Sequence, residues 1–180
     1  TLTSADIKST LNERFPKQAQ KTALLPDFDE SESKVVTFED AKRFYRDFGF
    51  GEYARCKAFS FEQKNGNYVL IPVENPDPIR LSDLKQYETQ RAKIVNNTLA
   101  FIKNKPYNNV LLYGDRGTGK SSTVKAILNE YSSMGLRLIQ IDKENLYGLA
   151  QLTEKLVNVP LKFILFVDDL TFNENDDSFG

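Results

Sequence analysis

Gly114-Asp115-Arg116-Gly117-Thr118-Gly119-Lys120-Ser121 satisfies the pattern G-x-x-x-x-G-K-[ST], which is a phosphate-binding (Walker A) loop when a strand precedes it and a helix follows. Each residue type has a physical reason. Glycines reach backbone conformations that other residues resist, so successive amides can turn toward one anion. The start of a helix adds its unpaired N–H groups and its dipole. Lys120 would meet the β- and γ-phosphates, the Ser121 hydroxyl would ligate Mg²⁺, and Ser122 continues the cradle. A glycine turn with a surface lysine is the plainer reading, and average composition produces the bare pattern in roughly one in two hundred chains of this length. The flanks decide between them. Asn109-Val110-Leu111-Leu112-Tyr113 reads as a buried strand, and Lys120 to about Tyr131 as a helix.

Downstream, Leu136–Ile141 reads as a strand, Asn145 to about Val157 as a helix, and Phe163–Val167 as a second buried strand. Apolar strands separated by helices predict an α/β fold: a parallel sheet covered on both faces by helices. Phe163-Ile164-Leu165-Phe166-Val167-Asp168-Asp169 delivers two carboxylates to the strand's C-terminal end, the edge at which such sheets bind ligands. Asp168 then reads as the Walker B acid that shares the metal with Ser121, and Asp169 as the residue that orients or deprotonates the attacking water. An acidic pair at a strand end is otherwise a solvated loop or a helix cap.

Upstream, Ser82 reads as the cap of a long helix from about Asp83 to Asn104, with Leu84, Tyr87, Ile94, Val95, Thr98, Leu99 and Ile102 as its apolar stripe. Asn75-Pro76-Asp77-Pro78 breaks regular structure. A domain boundary is expected there, separating a small α+β region (1–75) from the nucleotide-binding part (76–180). Within the first region Lys57–Gln63 and Asn67–Pro72 flank Asn65-Gly66, a strong hairpin signal. Phe38–Phe48 has helical apolar spacing, with Thr37 as its cap and Gly49 and Gly51 as stops. A short helix is expected at 6–15 and an acidic link at 26–33.

The chain has 180 residues with 24 Lys+Arg, 25 Asp+Glu, a net charge of −1 and no histidine. Residues 1–75 hold 11 basic and 12 acidic groups and the rest 13 and 13, so neither half attracts nucleic acid or anionic membranes through bulk charge. Histidine-based catalysis and His-ligated metals are excluded, and the single Cys56 excludes an internal disulfide. No apolar run suits a membrane span, and the expected location is cytoplasmic. Arg116, Tyr87, Asp142 and Cys56 read more simply as a loop cation, a packed ring, a helix cap and an inert thiol.

These motifs resemble the AAA+ class of P-loop ATPases. The G-x-x-G-x-G-K-S loop and the lead-in Pro78-Ile79-Arg80-Leu81-Ser82-Asp83-Leu84 carry the likeness. With Phe50-Gly51-Glu52-Tyr53-Ala54-Arg55 and Asn109–Gly114, the chain looks most similar to a prokaryotic family of predicted ATPases of unknown function, over about residues 44–172. The resemblance implies ATP and Mg²⁺ as cofactors, hydrolysis coupled to an unknown partner, and a ring of copies in the full-length protein. It also brings the lead-in segment near the adenine. The alternative is a nucleotide-gated binding module, or a helicase-loader-like DNA-associated protein, with little hydrolysis. Two departures stand out. Asp168-Asp169 replaces the usual Asp-Glu, and the chain reaches Gly180 before the strand that, in this class, inserts between those of the two Walker motifs. An incomplete sheet is therefore expected.

Overall fold

The computed structural model describes residues 38–168. The expected helix at 6–15, the acidic link at 26–33, the Thr37 cap and Asp169 lie outside the described residues. The chain divides into two compact units, Thr1–Arg46 and Asp47–Gly180. The described part of the first is the beginning of helix α1 (Phe38–Phe48), where Phe44 and Tyr45 meet edge to face with ring centroids 6.2 Å apart.

The second unit runs from α2 (Glu52–Arg55) through the hairpin β1 (Ala58–Lys64) and β2 (Asn67–Val73) to α3 (Glu88–Ile102). Then follow α4 (Lys120–Tyr131), β3 (Leu136–Ile141), α5 (Leu149–Leu156) and β4 (Lys162–Val167). Four strands form one sheet in the order β2-β1-β3-β4. β1 pairs antiparallel with β2, while β1–β3 and β3–β4 are parallel. This mixed α/β sheet is mostly parallel.

Alternation along the strands sends side chains to two cores. On one face Phe59, Phe61, Ile139, Ile141 and Leu152 are buried, with Leu149 and Leu156 of α5 packed against them. On the other, Ala58 and Leu138 meet Val124 and Leu128 of α4. The sheet is thus covered on both faces, as the apolar runs predict.

Four expectations change. The hairpin is no separate domain: β1 joins the parallel strands, and the expected boundary at 75/76 falls inside the second unit. Turn chemistry revealed the hairpin but gave no sign of its long-range partner. The long helix begins only at Glu88, because Gln86 and Tyr87 take left-handed backbone angles (φ 71° and 54°). Arg91 donates to the carbonyls of Leu81, Leu84 and Gln86 and holds that kink. Ser82 caps no long helix; it lies in a 3₁₀ turn, Leu81–Asp83. The helix expected from Asn145 divides into a 3₁₀ segment, Lys143–Gly148, and α5. There a Cβ on Gly148 would come within 2.6 Å of the Tyr68 ring, so glycine is kept by close approach.

The fourth correction concerns the segment before the loop. Asn109–Tyr113 is not a strand. Leu111 is 74% and Tyr113 86% exposed, and only Leu112 packs against the α4-side core. Among the described residues no strand lies alongside it, since the sheet ends at β4. A parallel strand exists only with a neighbour to take its hydrogen bonds. Asn97 supplies a substitute one residue upstream, its amide accepting from Asn108 N–H (2.9 Å) and donating to Asn108 C=O (2.8 Å).

Candidate functional site: the glycine-rich loop and the end of β4

The loop takes its shape from three glycines in the left-handed region: Gly114 (φ 135°), Gly117 (79°) and Gly119 (82°). A Cβ on Gly117 or Gly119 would meet nothing within 4 Å, so backbone angle, not crowding, is what demands glycine there. Gly119 stands at the N-cap of α4. Its carbonyl accepts from the Thr123 amide and from Thr123 Oγ1, each at 2.8 Å. The helix therefore starts at Lys120, and the amides of its first turn have no partner within the helix.

The loop is braced by its own side chains. Lys120 Nζ donates to Gly114 C=O (2.8 Å) and Asp115 C=O (2.7 Å). Thr118 Oγ1 donates to the same Asp115 carbonyl at 2.8 Å. The lysine thus bridges from the helix to the loop's entry. Asp115 and Arg116 are exposed at the tip; Arg116 keeps the plainer reading of a solvent-facing cation.

The second motif arrives from β4. Ser121 Oγ donates to the Asp168 carboxylate, 3.0 Å from each oxygen. Residues 47 positions apart thus meet at the C-terminal end of β4 and the N-terminal end of α4. Gly114, Asp115, Arg116, Gly117, Thr118, Gly119, Lys120, Ser121 and Ser122 fall on this loop and the first turn of α4. Asp169 follows outside the described residues.

A hydroxyl beside a carboxylate is a hard-oxygen donor pair, suited to Mg²⁺, which commonly takes one or two protein ligands and completes its octahedron with water and phosphate. Among the described residues no cluster of three or more His, Cys, Asp or Glu could hold a metal by itself.

Sequence reasoning missed the supports around this site. Asn129, two turns beyond Ser121 on α4, donates to Asp77 C=O (2.8 Å) and Ile79 C=O (2.7 Å) and accepts from Lys57 Nζ at 2.7 Å. Lys125 pairs with Asp77 at 3.8 Å. Contacts spanning 50 to 72 positions leave no periodic trace. Arg137, 3% exposed, was also missed. It donates to the carbonyls of Tyr53, Ser132, Leu136 and Phe48, and burial lowers its pKa. Asp142 stands at the N-cap of its 3₁₀ segment, but its side chain makes no capping hydrogen bond; its carbonyl accepts from Asn145 N–H instead. Burial pushes the Cys56 thiol pKa upward, with Arg55 opposing it, which suits an inert thiol.

The described residues form a mixed, mostly parallel α/β sheet, with the glycine-rich loop and the start of α4 beside the end of β4. Residues 54–180 match the family model described as "Protein of unknown function (DUF815)", and the chain belongs to that family. No curated protein and no solved structure matches it. Among the described residues no helix is long and apolar enough to cross a membrane.

Proposed function

We propose that this chain is an AAA+-like P-loop domain that binds ATP with Mg²⁺ and hydrolyses it, coupling the nucleotide state to a partner. One observation carries the reading: the Ser121 hydroxyl lies 3.0 Å from both Asp168 oxygens. The Walker geometry requires this juxtaposition, and neither motif implies it alone.

The roles follow from positions. The loop amides and the start of α4 bind the phosphate tail. Lys120 exchanges its two carbonyl partners for phosphate oxygens, a stronger charge-assisted interaction. Ser121 would ligate the cation through its hydroxyl oxygen while its O–H stays on Asp168, whose carboxylate would hold the cation through water. When bound, Mg²⁺ would draw charge from the phosphates and orient them. Asp169 orients or deprotonates water; this role rests on sequence alone. A nucleotide-gated module with slow turnover is the second reading, favoured by Asp-Asp where the class has Asp-Glu. By analogy with the class, copies of this domain would assemble into a ring.

Calorimetric titration of ATP, with Mg²⁺ and with EDTA, tests the proposal. Wild type binds, and Lys120→Ala does not. Asp169→Ala binds but loses phosphate release. No binding by wild type refutes the reading, while binding without turnover leaves the gated module.

A further inference from the structure

One residue of β3 breaks the pattern of its face. Ile139 and Ile141 pack on the α5 side, so Leu136, Leu138 and Gln140 belong to the α4 side. Leu136 is 0% and Leu138 5% exposed, yet Gln140 lies open to solvent. The opening is not that of a sheet edge. Gln140 has a strand on each side, paired with Ser60 of β1 and with Phe166 of β4.

The path of α4 accounts for it. The helix starts at the end of β4, where Ser121 meets Asp168, and finishes near the start of β1, where Asn129 accepts from Lys57. Between these points Val124 and Leu128 rest on Ala58 and Leu138. A helix laid diagonally in this way leaves one corner of the sheet uncovered, at the carboxyl ends of β1 and β3. Ser60 and Glu62 are half-buried there and satisfy each other, the hydroxyl donating to Glu62 Oε1 at 3.0 Å. Lys64 pairs with the other oxygen of Glu62 at 3.7 Å. Gln140 differs: among the described residues none bonds its side-chain amide.

This corner opens beside the Ser121–Asp168 pair. Gln140 is level with Phe166, and Asp168 lies two residues further along the same face. One strand spacing and two residue rises put the Cα atoms of Gln140 and Asp168 about 8 Å apart. An amide and a carboxylate extending from them close that gap across a single water.

We propose that Gln140 is a further catalytic residue, which holds the attacking water against the terminal phosphate. This rests on the nucleotide reading and deepens it. Oε1 accepts one O–H of the water and Nε2 donates to a phosphate oxygen, so that a lone pair of the water faces phosphorus. The water oxygen bonds to the γ-phosphorus, the bond to the bridging oxygen breaks with its electron pair leaving on ADP, and a water proton passes to Asp169. A glutamine that orients water is a known device in phosphoryl transfer. With the water held by Gln140, the short Asp169 carboxylate has only the proton to accept.

Steady-state phosphate release, and calorimetric binding of the slowly hydrolysed analogue ATPγS with Mg²⁺, test the inference on the full chain as wild type, Gln140→Leu and Gln140→Ala. Both variants turn over about a hundredfold more slowly, the scale on which misplaced reacting groups lose rate. Both bind the analogue within about twofold of wild type. Because an amide does not titrate, the rate falls by the same factor at every pH. Turnover within about twofold of wild type overturns the inference. So does a loss of affinity that matches the loss of rate, which is the mark of a merely structural role. Gln140→Ala keeps the test decisive if Gln140→Leu, with its apolar group set in solvent, aggregates. Wild type that binds but releases no phosphate overturns this inference and leaves the gated module standing. Wild type that does not bind refutes the nucleotide reading itself, and this inference with it.

Discussion

Leu111→Ser separates the two accounts of the segment before the loop. As a residue of a buried strand, Leu111 would lose its transfer energy and leave a cavity and a buried hydroxyl, together at least about 3 kcal/mol. The structure leaves Leu111 74% exposed, so only about a quarter of the side chain is withdrawn from water. Burying a whole leucine is worth about 1.5–3 kcal/mol, and a quarter of that is about 0.5 kcal/mol. Leu112, half-buried beside Val124, Leu128 and Leu138, provides a contrast one residue away; Leu112→Ser should cost about 2 kcal/mol. Urea unfolding followed by circular dichroism reads both. With a slope of about 2 kcal/mol/M, the midpoint falls by about 0.25 M for Leu111→Ser and about 1 M for Leu112→Ser. A fall of 1 M or more for Leu111→Ser, or equal falls for the two, would refute the exposed placement and restore the buried strand.

Arg137→Met leaves four carbonyls without their cationic donor. Stability should drop by about 3 kcal/mol, with partial rescue in Arg137→Lys; a loss under about 1 kcal/mol by denaturant titration would contradict the clamp. Cys56 tests burial by pH. Because burial raises the folded thiol's pKa above its ordinary 9.0, the contribution to stability is complete below the unfolded value and is lost as pH rises through the folded one. Iodoacetamide should accordingly modify the native chain more slowly than the urea-unfolded chain at pH 8.5, the native rate still climbing above pH 9. Equal rates would mean that the thiol is not shielded.

The elements legible in the sequence were those whose signals are local. Asn65-Gly66 marked the hairpin turn, and β1 and β2 begin and end within a residue or so of the expected runs. Lys120–Tyr131 and Leu136–Ile141 fall where periodicity put them. Ser121 and Asp168 could be paired in advance because motif spacing encodes what loop and strand each deliver. What stayed hidden depended on partners far along the chain. Val110 and Leu111 are apolar enough for a core strand, but no pattern states whether a neighbour exists. The kink at Gln86–Tyr87 depends on Arg91 reaching back to three carbonyls, and an arginine on a helix face looks like solvated charge. Asn129 likewise reads as an ordinary polar residue near a helix end until Lys57 is brought beside it.

The register of β1 on β3 has a consequence for how the protein is made. Ala58 pairs with Leu138, 80 positions later (138 − 58), so the hairpin leaves the ribosome long before the strand that completes it. At about 5–20 residues per second that interval lasts about 4–16 s. Throughout it, Phe59 and Phe61 lack the cover of Ile139 and Ile141, and the open side of β1 is a template for any passing strand. The far side of the hairpin is blunted by Pro72, which has no N–H to offer. Nascent chains are therefore vulnerable along one flank of this hairpin, and chaperone engagement there would fall away once residue 141 has emerged.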